Sequence, residues 1–317
     1  MFNLAKFKIT MRVIFDPKES LDARSVATVG IFDGVHLGHK RVLELVVGAA
    51  RKRGLNSLVL TFHPHPQKVL TGNDIPLIVP LKERFRLLEE EGIETVVCYT
   101  FDLEFANISA EDFVKEILVQ NLGIKRIFAS SDFRFGHDRR GGFKLLEKMG
   151  RIYDFETNLV EPETIEGEIV SSTAIRGLLE TGSVKKAARF LGRLFSIEGR
   201  VVEGDRRGKE LGFPTANLDT EWELFPKGGV YVTWAYLGER KLKSITNIGY
   251  RPTFGGKKLM VETHVIEFEE DIYGETLRIE FIERLRDERR FESIDALRAQ
   301  ITRDVELAKS KVFDKSR

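Results

Sequence analysis

The chain of 317 residues has one cysteine, Cys98. A single thiol can neither close an internal disulfide nor build a cysteine-based zinc site, so the sequence points to a reducing compartment, the cytoplasm. Net charge is as scarce: 50 Lys and Arg face 49 Asp and Glu, leaving +1. That balance supplies no bulk field to gather a phosphate polymer, and nucleic acid is not expected as a partner. No apolar run reaches membrane-spanning length, so no membrane association is expected either. The first ten residues carry Lys6 and Lys8 among Phe2, Leu4, Phe7 and Ile9 but no export signal. They read as a short extension, with Met11 as an alternative start. Internal repeats and low-complexity linkers are absent. No Gly-x-x-x-x-Gly-Lys-Ser/Thr and no Gly-x-Gly-x-x-Gly follows a predicted strand, so a nucleotide, if bound, is held by other means.

What remains is an ordinary globular composition, 42% hydrophobic and 31% charged. At about 150 residues per domain the length suggests two domains, each able to bury a core without staples. From Ser25 to about Glu161, short β-branched runs alternate with helical periodicity, predicting an α/β domain with a Rossmann-like parallel sheet. Its predicted strands are Ser25 to Phe32, Ser57 to Phe62, Glu94 to Tyr99 and Ile124 to Ala129, with Arg12 to Phe15 resembling another. Helices are expected over Leu37 to Arg53, Leu81 to Glu91 and from a Ser109 cap to Gly123. After Gly182 to Gly192 the alternation changes to that of antiparallel strands, including Phe195 to Val202, Val230 to Leu237, Val261 to Phe268 and Thr276 to Ile282. These predict a small antiparallel β-barrel, closed by a helix that Ser293 opens. The expected domains are residues 1–184 and 185–317.

The unusual residues fall where parallel strands end, the side on which such sheets bind ligands. After the first strand come Gly30, Ile31, Phe32, Asp33, Gly34, Val35, His36, Leu37, Gly38 and His39. Two imidazoles at a helix start, with glycines that let backbone N–H groups approach, suit a phosphoryl group that gains charge. His36, His39, His63 and His65 lie close in sequence, but no carboxylate or thiolate completes a zinc pattern, so metal chelation is the lesser reading. Two further stretches match this chemistry: Ser172, Thr173 and Arg176, which also fit a simple helix cap, and Phe62 with Phe133, flat faces that also suit a core. In the second half, Gly204, Gly208 and Gly212 precede Phe213-Pro214-Thr215-Ala216-Asn217. Glycine N–H groups suit an anion there, and the Thr215 and Asn217 oxygens suit Mg2+.

His36-Leu37-Gly38-His39 resembles the signature of the nucleotidylyltransferase superfamily. With Thr61 to Pro66, Asp132 to Gly136, Ser171 to Arg176, Leu211 to Asn217, Asn247 to Thr253, Val261 to His264 and Asp271 to Gly274, it resembles the bacterial bifunctional flavin synthetases. In these a riboflavin kinase is joined to an FMN adenylyltransferase, and the likeness runs through nearly the whole chain after Met11. The resemblance implies nucleotide contacts at Gly30, Phe32, Asp33, Gly34, Gly38, Ser172, Thr173 and Arg176, with His36 and His39 catalytic. It implies flavin contacts at Phe62, His65, Asp132, Phe133 and Arg134. In the second half it implies Glu262 as general base, Gly208, Lys209, Thr215 and Asn217 at the nucleotide, Mg2+ on Thr215 and Asn217, and Arg286 near the flavin. The expected small molecules are riboflavin, FMN, FAD and ATP; oligomeric state is left open, a monomer being admissible. Ser130, His63, Glu203 and Lys209 depart from the family pattern, and Lys209 matters most because an ammonium does not reproduce a guanidinium fork. A flavin-binding protein without turnover, or a chain with one working half, is the competing reading.

Overall fold

The computed structural model of the chain describes residues 10–21, 24–204, 208, 212–253 and 256–310. It divides into two compact units, Met1–Ser172 and Thr173–Arg317. Lys209 lies outside the described residues.

The first unit is built on six parallel strands: β1 Arg12–Phe15, β2 Ser25–Val29, β3 Asn56–His63, β4 Thr95–Thr100, β5 Ile124–Ser130 and β6 Glu156–Val160. Their order across the sheet is β1-β4-β3-β2-β5-β6. Every residue of β2 is buried, as a central strand covered on both faces requires. Helix α1 (Leu37–Arg53) begins at His36 and stops at Gly54, whose φ of 62° only a glycine adopts cheaply. Three basic residues in its last turn complement the negative end of its dipole. Helices α2 (Pro66–Thr71), α3 (Leu81–Glu90) and α4 (Leu103–Ala106) follow. The Ser109 cap is present: its Oγ accepts from Asp112 N at 3.0 Å and donates to Asp112 Oδ2 at 2.6 Å. The short α5 (Ala110–Asp112) then widens into a π-helical stretch, Phe113–Asn121. Helix α6 (Phe143–Tyr153) precedes β6. A small hairpin, β7 Thr164–Ile165 and β8 Glu168–Ile169, ends the unit.

Strand β2 ends at Val29 rather than at Phe32. Gly34 has φ 80°, and Phe32 and Val35 take φ 54° and 38°, so the chain turns sharply where its apolar character would have allowed the strand to continue.

In the second unit, α7 (Ser172–Glu180) and α8 (Val184–Leu191) lead into the barrel strands β9 Phe195–Val202, β10 Ala216–Asp219, β11 Gly229–Leu237, β12 Arg240–Thr253, β13 Gly256–Val265 and β14 Thr276–Arg286. The barrel closes in the order β10-β13-β12-β11-β14-β9, all antiparallel, leaving no free sheet edge. Its interior holds Ile197, Tyr231, Ile248, Val261 and Phe281 and a run of buried hydroxyls. Thr233 Oγ1 lies 2.7 Å from Ser244 Oγ and 2.8 Å from Thr246 Oγ1, which is 2.9 Å from Thr263 Oγ1. Ser244 Oγ donates to the Thr233 carbonyl at 3.0 Å, so the protons can run from Thr263 through Thr246 and Thr233 to Ser244 with each hydroxyl donating once. Helix α9 (Ile294–Ala308) starts at Ser293, whose Oγ accepts from Ala296 N at 3.2 Å. It sets Ile301, Val305 and Ala308 against Val232, Ile245 and Ile266 on the barrel's outer wall.

Candidate active sites

Because β3, β2 and β5 are adjacent and parallel, the loops that follow them leave the sheet side by side. They carry His63 to Pro66, Gly30 to His39, and Ser131 to Gly136. The sequence-predicted residues of the first unit are thereby brought to one edge.

The loop after β2 is held from three directions. Asp33, 1% exposed, accepts from Ile78 N at 3.0 and 3.1 Å and from Val79 N at 3.3 Å. Ser172 Oγ donates to the Asp33 carbonyl at 2.9 Å. The third hold is Arg84, a residue the sequence reading missed. Its guanidinium is fully buried and donates through Nη1 to the carbonyls of Ile31 (3.0 Å) and Phe62 (3.3 Å), joining the ends of β2 and β3. Its Nε and Nη2 have no hydrogen-bond partner among the described residues. Burial pulls its pKa down, with Asp33 and Cys98 opposing.

At the helix start, His36 Nδ1 accepts from His39 N at 3.3 Å, which places the ring proton on Nε2. The two imidazoles stack with centroids 3.6 Å apart, and Phe32 closes on His39 at 4.9 Å. A Cβ at Gly38 would stand 3.2 Å from the His36 ring, so a larger residue there requires the ring to shift. Gly30 passes equally close to Phe32: a Cβ would be 3.1 Å from its ring.

Phe62 is buried, packed edge-on against Phe101 and Phe105 at 5.7 and 5.4 Å. His65 caps α2, accepting from Gln67 N at 3.1 Å. After β5, Asp132 receives a 2.5 Å hydrogen bond from Ser130 Oγ. Arg134 donates to the carbonyls of Ser131 and Phe133, and Phe133 stacks on Phe135 at 5.1 Å. Thr173 and Arg176 belong to the second unit, in the first two turns of α7.

In the second unit, Asn217 pairs with Glu262 and Glu262 with Asn247 across three adjacent strands. Directly opposed residues share a face, so amide, carboxylate and amide stand in one row. They line a cavity of about 300 Å³ with Gly208, Phe213, Thr215 and His264. The α9 side supplies Leu297, Ile301 and Asp304, and Arg286 completes it. Asn217 Oδ1 is buried and has no hydrogen-bond partner among the described residues. A bare carbonyl oxygen costs free energy unless something electropositive meets it, and with Thr215 Oγ1 it fits a hard cation. No group of three His, Cys, Asp or Glu among the described residues could hold a metal alone. Gly208 lets the chain pass here: a Cβ would strike the Phe213 carbonyl and stand 3.0 Å from Thr215 Oγ1.

Arg286 is paired with buried Asp304, Nε at 2.9 Å and Nη2 at 2.8 Å from Oδ2, while Gln300 Nε2 donates to Oδ1 at 2.7 Å. Asp304 was also missed, yet a signal exists. It interrupts the apolar stripe Ile301, Val305 and Ala308, as Arg84 interrupts Leu81, Phe85 and Leu88. A charge at such a position is buried and paired, or functional.

Comparison with known proteins matches residues 18–174 to the FAD synthetase family model and residues 191–312 to the riboflavin kinase model. The bifunctional riboflavin kinase/FMN adenylyltransferase of Escherichia coli K12 is 39% identical over 281 residues, covering 88% of this chain and 90% of its own. That of Pseudomonas fluorescens is 36% identical over 286 residues, 90% and 92% of the two chains. A crystal structure from Streptococcus pneumoniae, described as a macrolide-efflux protein, superposes with a TM-score of 0.88 at 32% identity, covering 95% of this chain and 99% of that one.

Proposed function

This chain belongs to the family of bifunctional riboflavin kinase/FMN adenylyltransferases, and from that premise we propose how its residues divide the two reactions. The protein phosphorylates riboflavin with ATP to give FMN, then joins FMN to the AMP portion of a second ATP, releasing pyrophosphate and forming FAD. Residues 185–317 carry the first step and residues 1–184 the second.

In the kinase half, Glu262 takes the proton of the ribityl 5′-hydroxyl as its oxygen bonds to the γ-phosphorus and ADP departs. The observation that carries this reading is the row Asn217, Glu262 and Asn247 beside a cavity of ligand size. Thr215 and Asn217 would hold Mg2+, which supplies charge neutralisation for the phosphates. Gly208 contacts the nucleotide, and Arg286 flanks the flavin, oriented by Asp304. In the adenylyltransferase half an FMN phosphate oxygen attacks the α-phosphorus. His36, its proton on Nε2, and His39 meet the growing charge, and the glycines at 30, 34 and 38 let the backbone approach. Phe32 and Asp33 shape that loop, with Ser172 as a further phosphate contact. Phe62, His65, Asp132, Phe133 and Arg134 form the flavin side.

No described helix is long and apolar enough to cross a membrane. The reaction carries the test. Purified protein with riboflavin, ATP and Mg2+ is followed by chromatography beside a second tube started from FMN. FMN rising and giving way to FAD is expected. Bound flavin without turnover in either tube replaces this reading by that of a binding protein.

A further inference from the structure

The strand ladder that organises the kinase site starts at Ala216, opposite Thr263. Upstream of it, Phe213, Pro214 and Thr215 have no strand partner. Thr215 therefore stands one residue outside the ladder, although the proposed cation site needs its hydroxyl beside the Asn217 carbonyl. One side chain reaches this stretch from the neighbouring strand: His264 Nδ1 lies 2.9 Å from the Pro214 carbonyl oxygen. The same imidazole takes the Phe213 ring at 5.3 Å, nearly perpendicular. His264 is two residues beyond Glu262 on β13, so both side chains face the same cavity.

We propose that His264 is a positioning residue for riboflavin phosphorylation, holding the Phe213–Thr215 stretch against β13 so that Thr215 and Asn217 present their oxygens together. This rests on the assignment of the kinase site to that cavity. The chemistry sets the direction of the bond. A carbonyl only accepts, so Nδ1 carries the proton and donates it. Burial lowers the imidazole's pKa, with the Pro214 bond opposing and Lys309 acting with burial, and the carbonyl partner is what keeps a proton at Nδ1. Proline makes the tie necessary. Pro214 has no N–H with which to join a ladder, and its carbonyl is its one backbone anchor. Gly208 makes it possible by leaving room for the Phe213 carbonyl, and Phe213 N in turn donates to Gly208 O at 2.8 Å.

An asparagine amide places its N–H where Nδ1 stands; a glutamine amide places it where Nε2 stands. Riboflavin phosphorylation by His264→Asn and His264→Gln is therefore compared with the unaltered protein across Mg2+-ATP and riboflavin concentrations. Trp222 and Trp234 fluorescence of the same samples reports whether the barrel unit has folded, and conversion of FMN to FAD serves as the activity control for the other unit. His264→Asn is expected to stay within about twofold of the unaltered protein. His264→Gln should raise KM for Mg2+-ATP about fivefold to tenfold, the size of one lost hydrogen bond, with KM for riboflavin unchanged. Equal behaviour of the two variants, or a loss confined to riboflavin, overturns the proposal. An unaltered protein that does not phosphorylate riboflavin overturns the site assignment instead.

Discussion

The Arg286 guanidinium meets the Asp304 carboxylate inside the barrel unit's cavity, both donating nitrogens within 3 Å of Oδ2. The pair ties the end of β14 to the middle of α9. Asp304→Asn leaves the guanidinium facing a neutral amide in a place from which water is mostly excluded. The expected cost is about 2–3 kcal/mol, below that of a fully buried pair because Arg286 keeps some solvent. Both tryptophans, Trp222 and Trp234, lie in this unit, so fluorescence-detected urea unfolding reads it selectively. A change under about 0.5 kcal/mol means that the pair does not hold the helix.

The two reactions respond to different side chains. Glu262→Gln should reduce riboflavin phosphorylation at least about a hundredfold, the usual worth of a general base, while FMN adenylylation is unchanged. His36→Ala combined with His39→Ala should do the converse. Equal loss at both steps from either change contradicts separate sites.

Asp33 acts through the backbone it holds. Removing its carboxylate by Asp33→Ala strands the Ile78 and Val79 amides in a dry interior, at about 1–3 kcal/mol. Exchange at these two amides should quicken and FMN adenylylation should fall, with riboflavin phosphorylation as the unaffected control. Unchanged exchange means that the carboxylate is not what holds the 77–79 segment.

Cys98 is 1% exposed, and burial pushes its thiol up to about 12 despite the nearby Arg84 guanidinium. At pH 8 the thiolate fraction is then about one in ten thousand, and only the thiolate attacks. The native protein should release no chromophore from an aromatic disulfide reagent at pH 8, and one equivalent after denaturation. Prompt native labelling would mean that β4 opens readily.

Periodicity made most elements legible: α1 and β9 have the bounds read from the sequence, and the histidines sit where a helix start was expected. Strand β12 escaped notice for a physical reason. Its inward residues include Ser244 and Thr246, and its apolar Ile245 faces α9, so hydroxyls occupy the barrel interior where a greasy alternation would be sought. The β2–α1 cradle was legible as a list of residues, but its support was not. Arg84 and the Ile78 amide are remote from it in sequence, and only the folded sheet brings them under it.

Arg84 and Asp33 also determine how the cradle behaves in salt. Neither side chain is more than 1% exposed, so dissolved ions cannot approach them, and the opposite charges remain fixed beneath the loop. Surface pairs such as Arg41 with Glu44 or Lys309 with Glu267 fade within a Debye length of about 3 Å at molar ionic strength. The two interior charges do not share that fate. The hold on the β2–α1 loop is thus expected to be insulated from the ionic strength of its surroundings.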